Sequence, residues 1–380
     1  MISYKYELKH DLTDEEKRLI CFSSDIIYGF SCENNYIELN FKADIDDKTL
    51  DTVKRNLDKL LKNSVEVVDE QDIIYINDAK RAYHSDDEII ASELITRYEN
   101  GLVVLAEPVI RLISFFDNYF KGILSELEYT EKHFPTLLPT DVIADTSYFD
   151  SSPQYIMFCE NVKESLDIYN DLRKNYEKNN YDEILDSPKF TLSPSACFHL
   201  FGAIRGKVFD SEKIFTHKQN VFRNEGRLNW GKLTRLNDYT VREIVFIGDN
   251  KYVYDIREKL MKKTAELMNK LEMTYQIVNA SDPFIIPTMN IYKKIQKKNH
   301  LKYELRVNTS ENDTVSCASF NVHKNAFSKN FGFKVENILF TESGCIGFGL
   351  ERIAIAFLNQ FGCDIYNWPD MIKNEIKKRS

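Results

Sequence analysis

The chain has 380 residues, of which 43% are hydrophobic, 29% charged and 13% aromatic. This balance excludes intrinsic disorder, a collagen-like repeat and a disulfide-stapled miniprotein, and the length predicts two domains or one large domain with an appendage. No uncharged apolar run approaches the ~18 residues that a membrane helix needs. We therefore expect neither a signal peptide nor a membrane span, and a cytoplasmic location.

The seven cysteines include no Cys-x-x-Cys pair, and without an export signal this favours reduced thiols or metal ligands over disulfides. The formal net charge is −9, and residues 1–95 contain 12 Lys and Arg against 22 Asp and Glu. A long nucleic acid needs basic residues that displace its phosphate counterions. The acidic N-terminal segment is therefore not expected to bind one.

Residues 1–76 show the order strand, helix, strand, strand, helix, strand, which is the split βαβ pattern. The second helix is predicted over residues 47–63, where apolar residues recur at helical spacing. These apolar positions are Leu50, Val53, Leu57, Leu60 and Leu61. The polar stretch 77–88 has no periodicity and is the best linker candidate. We therefore predict a small N-terminal α/β domain over residues 1–90.

A second domain is predicted over residues 91–380. A long amphipathic helix is expected at 105–126, and Pro135 and Pro139 then force extended chain. A further amphipathic helix is expected at 251–273, and its basic face is more often solvated surface than a docking site. The apolar face of the first helix comprises Val109, Leu112, Ile113, Phe116, Phe120, Ile123 and Leu124.

The clearest local signal is the segment 341–362, in which Gly344, Gly347 and Gly349 punctuate a predicted strand that runs into a predicted helix. Arg352 falls in the first turn of that helix, where the helix dipole disfavours a cation. An anion bound between Arg352 and the helix N-terminus would explain its presence. A solvated or ion-paired arginine would explain it equally well.

The segment 221–250 carries a second signal, because two strand-like runs flank a loop that holds four basic residues. These are Arg223, Arg227, Lys232 and Arg235. The pattern predicts a hairpin with a basic loop, and the bidentate guanidinium group suits phosphate recognition better than a lysine does. Without the other motif, surface solubility would explain the charges equally well.

Together the two segments resemble motifs 2 and 3 of the class II aminoacyl-tRNA synthetases. They read Phe222-Arg223-Asn224-Glu225 and Gly347-Phe348-Gly349-Leu350-Glu351-Arg352, and their order and separation make the match specific. The helix at 105–126 and the prolines after it resemble motif 1, the dimer-forming element. The resemblance implies an α+β fold, with an antiparallel sheet flanked by helices, in a homodimer.

Cys197, Glu243 and Cys345 look like the zinc ligands of the atypical seryl-tRNA synthetases of methanogens. The same set occurs in their bacterial homologues, the amino acid:[carrier protein] ligases. Two thiolates and one carboxylate leave the fourth zinc position open, as catalytic sites do. In the resembled family the α-amino group of the substrate takes that position. The other cysteines are expected to be buried hydrophobes.

Further segments narrow the family. With 148–158, 280–284, 302–305 and 319–327, the chain resembles the ligases most closely, over roughly residues 91–365. The resemblance implies a small amino acid and ATP as substrates, an aminoacyl-adenylate as the intermediate, and the phosphopantetheine thiol of a carrier protein as the acceptor.

The resemblance also implies residue roles. Arg223 would hold the α-phosphate and the amino acid carboxylate, Glu225 the adenine amino group, and Arg352 the γ-phosphate. Attack by a carboxylate on the α-phosphorus needs positioning and charge neutralisation more than acid–base help, so arginines suit the task. Further candidates for binding ATP and Mg²⁺ are Arg235, Glu304 and Asn321.

The extra domain at residues 1–90 is a departure from the ligases, which usually begin close to the catalytic core, and it is more like the methanogen synthetases. Charging of tRNA is therefore the first alternative, although the acidic balance makes tRNA an unlikely partner. Dimerisation or carrier docking would be other roles for this domain. A second alternative is an inactive regulatory paralogue that binds nucleotide or amino acid.

Overall fold

The structure is a computed structural model that describes residues 2–8, 10–33, 35–61 and 72–378. Within these residues the strands are β1 (Ser3–Glu7), β2 (Ile27–Glu33), β3 (Tyr36–Phe41), β4 (Ile73–Asn77), β5 (Ile95–Glu99), β6 (Leu102–Leu105), β7 (Thr130–Glu131), β8 (Leu137–Pro139), β9 (Met157–Cys159), β10 (Phe190–Leu192), β11 (Val208–Phe209), β12 (Lys213–Phe222), β13 (Asp238–Gly248), β14 (Tyr275–Asn279), β15 (Lys302–Asn308), β16 (Thr314–Lys324), β17 (Lys334–Val335) and β18 (Glu342–Gly349).

The helices in the same ranges are α1 (Asp14–Leu19), α2 (Asp47–Leu61), α3 (Asp86–Ala91), α4 (Val109–Gly122), α5 (Thr140–Ala144), α6 (Tyr148–Ser151), α7 (Leu166–Glu177), α8 (Tyr181–Ile184), α9 (Cys197–Ala203), α10 (Asn250–Lys270), α11 (Asn290–Lys298), α12 (Ala326–Phe331), α13 (Leu350–Phe361) and α14 (Asp370–Lys378). No helix of the described ranges is long and apolar enough to cross a membrane.

The N-terminal residues form a three-stranded antiparallel sheet in the order β1–β3–β2. Residues alternate between buried and half-buried along β3, because successive side chains of a strand point to opposite faces. Helix α2 packs on the buried face through four of the five predicted apolar positions. The predicted amphipathic helix is therefore confirmed within the described residues.

The larger unit is built on an eight-stranded sheet in the order β4–β14–β15–β16–β18–β13–β12–β7. Every pair is antiparallel except β12 with β7. Helices α4, α10 and α13 pack on one face, and α9 and α12 pack on the other. Because both faces of β13 are covered, Ile244 to Ile247 form a continuous apolar run instead of alternating. The predicted α+β fold is confirmed.

The split βαβ interpretation is wrong about the sheet to which its last strand belongs. Strand β4 exists, but it pairs with β14 at the edge of the large sheet, with Tyr75 opposite Ile277, and not with the N-terminal sheet. A short strand can complete either of two sheet edges, and its sequence pattern does not choose between them. The predicted linker also contains the start of α3, whose N-cap is Ser85.

The other predicted elements are present with shifted ends. The helix expected at 105–126 is α4, which begins after Pro108, and the helix expected at 251–273 is α10. The Asp249 carboxylate caps α10 by accepting a hydrogen bond from the Tyr252 amide at 2.7 Å. The hairpin is β12–β13, and the glycine-rich strand β18 runs directly into α13.

A buried ion pair attaches α4 to the central sheet. Arg242 on β13 donates two hydrogen bonds to the Asp117 carboxylate, at 2.7 and 3.1 Å, and a third to Glu131 at 3.2 Å. Arg242 is 4% exposed and Asp117 8%. The bidentate geometry offsets the cost of removing both charges from water.

We predict that Asp117→Ala lowers the free energy of unfolding by about 3–5 kcal/mol, because it leaves the Arg242 guanidinium buried without its main partner. The measurement is urea denaturation followed by circular dichroism. The control is Glu177→Ala, which breaks the exposed Arg173–Glu177 pair and should cost no more than about 0.5 kcal/mol. Equal effects of the two variants would contradict the prediction.

Candidate active site

A polar pocket lies where β12 ends and β13 begins, beside the first turn of α13. Of the predicted site residues, five line it: Arg223, Glu225, Arg235, Glu304 and Arg352. The aromatic ring of Tyr155 and residues of α1 from the N-terminal sheet unit line the same pocket. The structure therefore brings together the predicted residues of both sequence motifs.

Arg223 follows directly on β12 and is fixed at the head of the hairpin. Its amide donates to Asn237 O at 2.9 Å, and its side-chain Nε donates to Pro194 O at 3.0 Å. The guanidinium carbon lies 5.6 Å from the centroid of the Tyr155 ring. These contacts hold the charged group in one orientation, so that its remaining donors can serve a ligand.

Arg352 is buried at the start of α13, and it is 8% exposed. Its guanidinium carbon lies 4.5 Å from the centroid of the Tyr239 ring, and its Nη2 donates to Glu225 Oε1 at 3.1 Å. Arg352 is therefore an ion-paired arginine and not a solvated one. In the described ranges its Nε finds no hydrogen-bond acceptor, so a donor is left for a ligand.

The Glu225 carboxylate is surrounded by arginines. Arg18 Nη2 donates to Oε2 at 2.5 Å, opposite the bond from Arg352, and Arg235 Nη1 lies 4.0 Å from Oε2. Burial would raise the pKa of Glu225, which is 2% exposed, but Arg18 and Arg352 outweigh burial and hold the pKa below its ordinary value. Glu225 is therefore an ionised hydrogen-bond acceptor.

The pocket has an excess of positive charge that favours an anionic ligand. Burial first, and then the nearby Arg18, lower the pKa of Arg235 to about 10. A cation becomes easier to deprotonate when other cations crowd it. A polyphosphate in this pocket would relieve that repulsion.

Glu304 on β15 is also paired. Lys302 Nζ lies 3.2 Å from its Oε1, and Arg306 Nη2 lies 3.3 Å from its Oε2. Burial opposes ionisation, but the two cations hold the pKa of Glu304 below its ordinary value. Lys302 also donates to Asp282 at 2.7 Å. Asp282 therefore belongs to the same ion-pair network, although its sequence motif indicated no role.

The register of the sheet sets a row of side chains on one face. Glu304 pairs with Ser319, Ser319 with Gly347, Gly347 with Glu243, and Glu243 with His217. Directly opposed residues of antiparallel strands share a face. The row therefore links the polar pocket at one end to the predicted metal ligands at the other.

Cys197, Glu243 and Cys345 converge although they are far apart in sequence. One donor atom from each lies within 4.8 Å of the others, and all three residues are buried. Among the described residues this is the group that could hold a metal ion. Two thiols and one carboxylate match the donors that zinc prefers, and three ligands leave a fourth position open.

The crowding of these acids fits a cation at their centre. Burial raises the pKa of Glu243 to about 7. The hydrogen bond with Cys197, burial and the neighbouring Glu243 charge raise the pKa of the Cys345 thiol well above its ordinary value. A divalent cation would favour the ionised forms instead.

Gly347 makes room for the Glu243 carboxylate. A Cβ atom at position 347 would lie 2.6 Å from Glu243 Oε2, closer than any real contact of this type. The sequence showed a glycine-rich strand, and the structure gives one physical reason for it. Position 347 must lack a side chain so that Glu243 can reach across β18 toward Cys345.

Asn321 does not line the polar pocket. It pairs with Cys345 in the sheet, and its Nδ2 lies 3.5 Å from Cys345 Sγ and 3.1 Å from Ser319 Oγ. Its side chain therefore contacts the candidate metal site. Ser195 Oγ similarly lies 3.3 Å from Cys197 Sγ. Such contacts orient metal ligands.

Sequence reasoning missed Arg18. It comes from α1, 207 residues before its partner Glu225, and lies in a charged stretch with no local pattern. Only the docking of the N-terminal unit on the hairpin loop brings it into the pocket. No periodicity or motif spacing could have indicated this contact.

Comparison with known sequences identifies two groups of relatives, and no family model matches. The chain is 31% identical over 193 residues to an amino acid--[acyl-carrier-protein] ligase of Bradyrhizobium diazoefficiens, which covers 50% of this chain and 58% of the relative. It is 26% identical over 286 residues to a type-2 serine--tRNA ligase of Methanococcus maripaludis. This match covers 71% of this chain and 55% of the relative. The chain thus spans somewhat more than half the length of each.

Solved structures agree on the fold. The M. kandleri SerRS, in complex with A. aeolicus tRNASec, superimposes with a TM-score of 0.73 at 20% identity over 99% of this chain and 77% of that one. The seryl-tRNA synthetase of Pyrococcus horikoshii complexed with ATP gives 0.60 at 12% identity, over 87% and 78%. The chain therefore has the class II seryl-tRNA synthetase fold, and its homologues include both amino acid--[acyl-carrier-protein] ligases and methanogen-type serine--tRNA ligases, as its motifs predict.

Proposed function

We propose that this protein activates a small amino acid with ATP and transfers it to the phosphopantetheine thiol of a carrier protein. The catalytic domain proposed over residues 91–380 would also include β4 and α3, which leaves the small separate domain, predicted over residues 1–90, with the β1–β3–β2 sheet and its helices. The observation that carries the proposal is the convergence of Arg223, Glu225 and Arg352 in one buried pocket, connected through the sheet to the Cys197–Glu243–Cys345 cluster.

The proposed first step joins the amino acid carboxylate to the α-phosphorus of ATP. A new P–O bond forms, the bond to the bridging oxygen breaks, and pyrophosphate leaves with the electron pair. No proton needs to move, so the protein contributes positioning and charge neutralisation. Arg223 would hold the α-phosphate beside the carboxylate, Arg352 and Arg235 the outer phosphates, and Glu225 the adenine amino group.

Zinc is proposed as the resident metal of Cys197, Glu243 and Cys345. When bound, it would offer an open position to the amine of the amino acid. The positive charge of Arg223 acts to lower the pKa of Glu243, so the two side chains interact electrostatically. An amino acid between the two would meet an arginine at its carboxylate and the metal cluster at its amine.

Magnesium remains a prediction and would enter with ATP. Glu304 is the predicted carboxylate inside the pocket, and it is engaged by Lys302 and Arg306. Asn321 contacts Cys345 instead. We therefore propose Glu304 alone as the residue that would face the metal-bound phosphates.

The carrier protein is the proposed acceptor, supported by the similarity to the ligases and by the acidic balance of the chain. The basic face of α10 is a poor docking candidate, because Lys251, Lys259 and Lys263 pair with neighbouring acids. Helix α11 suits better. Its Lys293 lines the pocket, and Lys294 is exposed on the same helix.

Charging of tRNA is the second candidate function. The expectation that tRNA is an unlikely partner is not supported by the comparisons, because the serine--tRNA ligases are equally strong relatives. The structural likeness to the tRNA-bound synthetase also runs over 99% of this chain, and so includes the N-terminal unit. The intact pocket arginines argue against the remaining alternative, an inactive regulatory paralogue. The homodimer stays a prediction.

The metal proposal predicts about one zinc per chain in protein purified without chelator. Cys345→Ala should lose zinc because a ligand is removed, and Gly347→Ala because its Cβ would displace the Glu243 carboxylate. Elemental analysis gives the zinc content, with circular dichroism to check folding. The matched controls, Cys363→Ala and Gly122→Ala, should keep full zinc. Full zinc in Cys345→Ala would refute the assignment.

Arg223→Ala and Arg352→Ala should each slow amino acid-dependent pyrophosphate exchange by on the order of 10²-fold or more. Each removes a preorganised charge that faces the transition state. Zinc content should be unchanged in both. Arg173→Ala, at an exposed arginine of α7, is the control and should exchange at the wild-type rate. Wild-type rates in both pocket variants would show that these arginines do not serve catalysis.

The acceptor is tested by offering radiolabelled amino acid and ATP with either a phosphopantetheinylated carrier protein or bulk tRNA from the same source. The proposed function predicts label on the carrier, whereas the second candidate function predicts label on the tRNA. The same carrier without its phosphopantetheine arm is the control and should stay unlabelled, because the thiol is the nucleophile. Charged tRNA with no thioester on any carrier would favour the second candidate and leave the adenylation step standing.

A further inference from the structure

The N-terminal unit is docked on the loop that joins β12 to β13. Arg227 of this loop donates to three backbone carbonyls: Ile27 O at 2.9 and 2.6 Å, Cys21 O at 3.2 Å and Ser24 O at 2.5 Å. Asn229 donates to Arg18 O at 3.2 Å. These bonds fix α1 and the turn after it against the pocket.

Close packing supports the same docking. Gly226 has φ +90°, and a Cβ atom there would lie 2.6 Å from Cys21 Sγ. Only glycine fits both the left-handed backbone and the space. The loop carrying Glu225 and the N-terminal unit carrying Arg18 are therefore shaped to each other, and this sets the position of the Arg18 guanidinium.

We infer that Arg18 is a positioning residue of the nucleotide site, holding the Glu225 carboxylate in place to accept a hydrogen bond from the 6-amino group of adenine. This rests on the proposed function, in which Glu225 contacts that amino group. Arg18 acts through Glu225 and is not assigned a contact with the nucleotide. The adenine-binding site would then need both the N-terminal unit and the hairpin.

The charge balance of the pocket explains why Glu225 needs Arg18 as a partner. Glu225 has Arg352 at Oε1 and Arg18 at Oε2. Phosphates that engage Arg352 would weaken its hold on Glu225. A buried carboxylate without a partner is costly, so Arg18 is the close partner that keeps Glu225 in place once ATP is bound.

The Glu225 carboxylate can accept a further hydrogen bond. Arg18 Nη2 uses one acceptor direction of Oε2, whereas each carboxylate oxygen has two lone pairs. Arg235, Arg223 and Tyr155 also face Glu225, but no hydrogen bond joins any of them to it within the described residues. Arg18 and Glu225 therefore act as a pair that a third group, an amine, can join.

The test compares the binding of ATP with that of purine riboside triphosphate, which lacks the 6-amino group, by isothermal titration calorimetry on the full chain. Arg18→Met should weaken ATP binding about tenfold or more, the scale of a hydrogen bond that involves a charged group. Binding of the analogue should change much less. Arg18→Lys should restore part of the ATP affinity, because it returns the charge.

Lys17→Met is the matched control, since it removes a cation from the same helix without facing Glu225, and its ATP affinity should equal that of the wild type. Tighter ATP binding by Arg18→Met would show that Arg18 blocks the site, and an equal loss for both nucleotides would show a general effect on charge or folding. Either result, or a wild type that binds both nucleotides equally, overturns the inference.

Binding needs no amino acid activation, so the two proposals fail separately. A wild-type protein that prefers ATP through Arg18 but shows no pyrophosphate exchange would refute the enzymatic proposal alone. Normal exchange with no selective loss in Arg18→Met would refute the inference alone. A wild type that binds neither nucleotide would refute both.

Discussion

The antiparallel pairing of β13 with β18 is the constraint on which the candidate site depends. It sets Glu243 opposite Gly347 and Val245 opposite Cys345, so that Glu243 and Cys345 share a face. Strand β18 ends at Gly349, and Arg352 follows in the first turn of α13, beside the loop of the hairpin. A shift of one residue would turn the candidate metal ligands to the other face of the sheet and would separate the arginine from Glu225.

Two regions of opposite electrostatic character meet on this face. The cluster of two thiols and a carboxylate is rich in acids, whereas the pocket next to it is rich in arginines. Arg223 acts on both, since it faces the pocket and its charge also reaches Glu243. A zwitterion beside a polyphosphate matches this arrangement, because its amine and carboxylate require opposite partners.

Elements with strong local patterns were predictable from the sequence. The hairpin consists of two strand-like runs around a basic loop, and the glycine-rich strand runs into α13, which carries a period-3.6 pattern. The candidate metal ligands followed from the resemblance. The pairing of β4 was not predictable, because the sequence pattern of an edge strand does not specify which sheet it joins. Asn321 was assigned to ATP, but the register places it beside Cys345. Arg18 was missed because its partner is 207 residues away.

The position of Arg18 also changes how the N-terminal charge should be weighed. A count of 12 basic against 22 acidic residues treats each charge as facing a partner in solution. Arg18 faces the pocket, and across the interface Arg227 of the loop between β12 and β13 binds backbone carbonyls of this unit. Arg18 is thus lost from the face that remains for solvent, as is the buried carboxylate of Glu16, and that face stays acidic. Long-range attraction of phosphates to that face is weak, so an acidic N-terminal unit that contacts tRNA must do so through shape or a few local contacts.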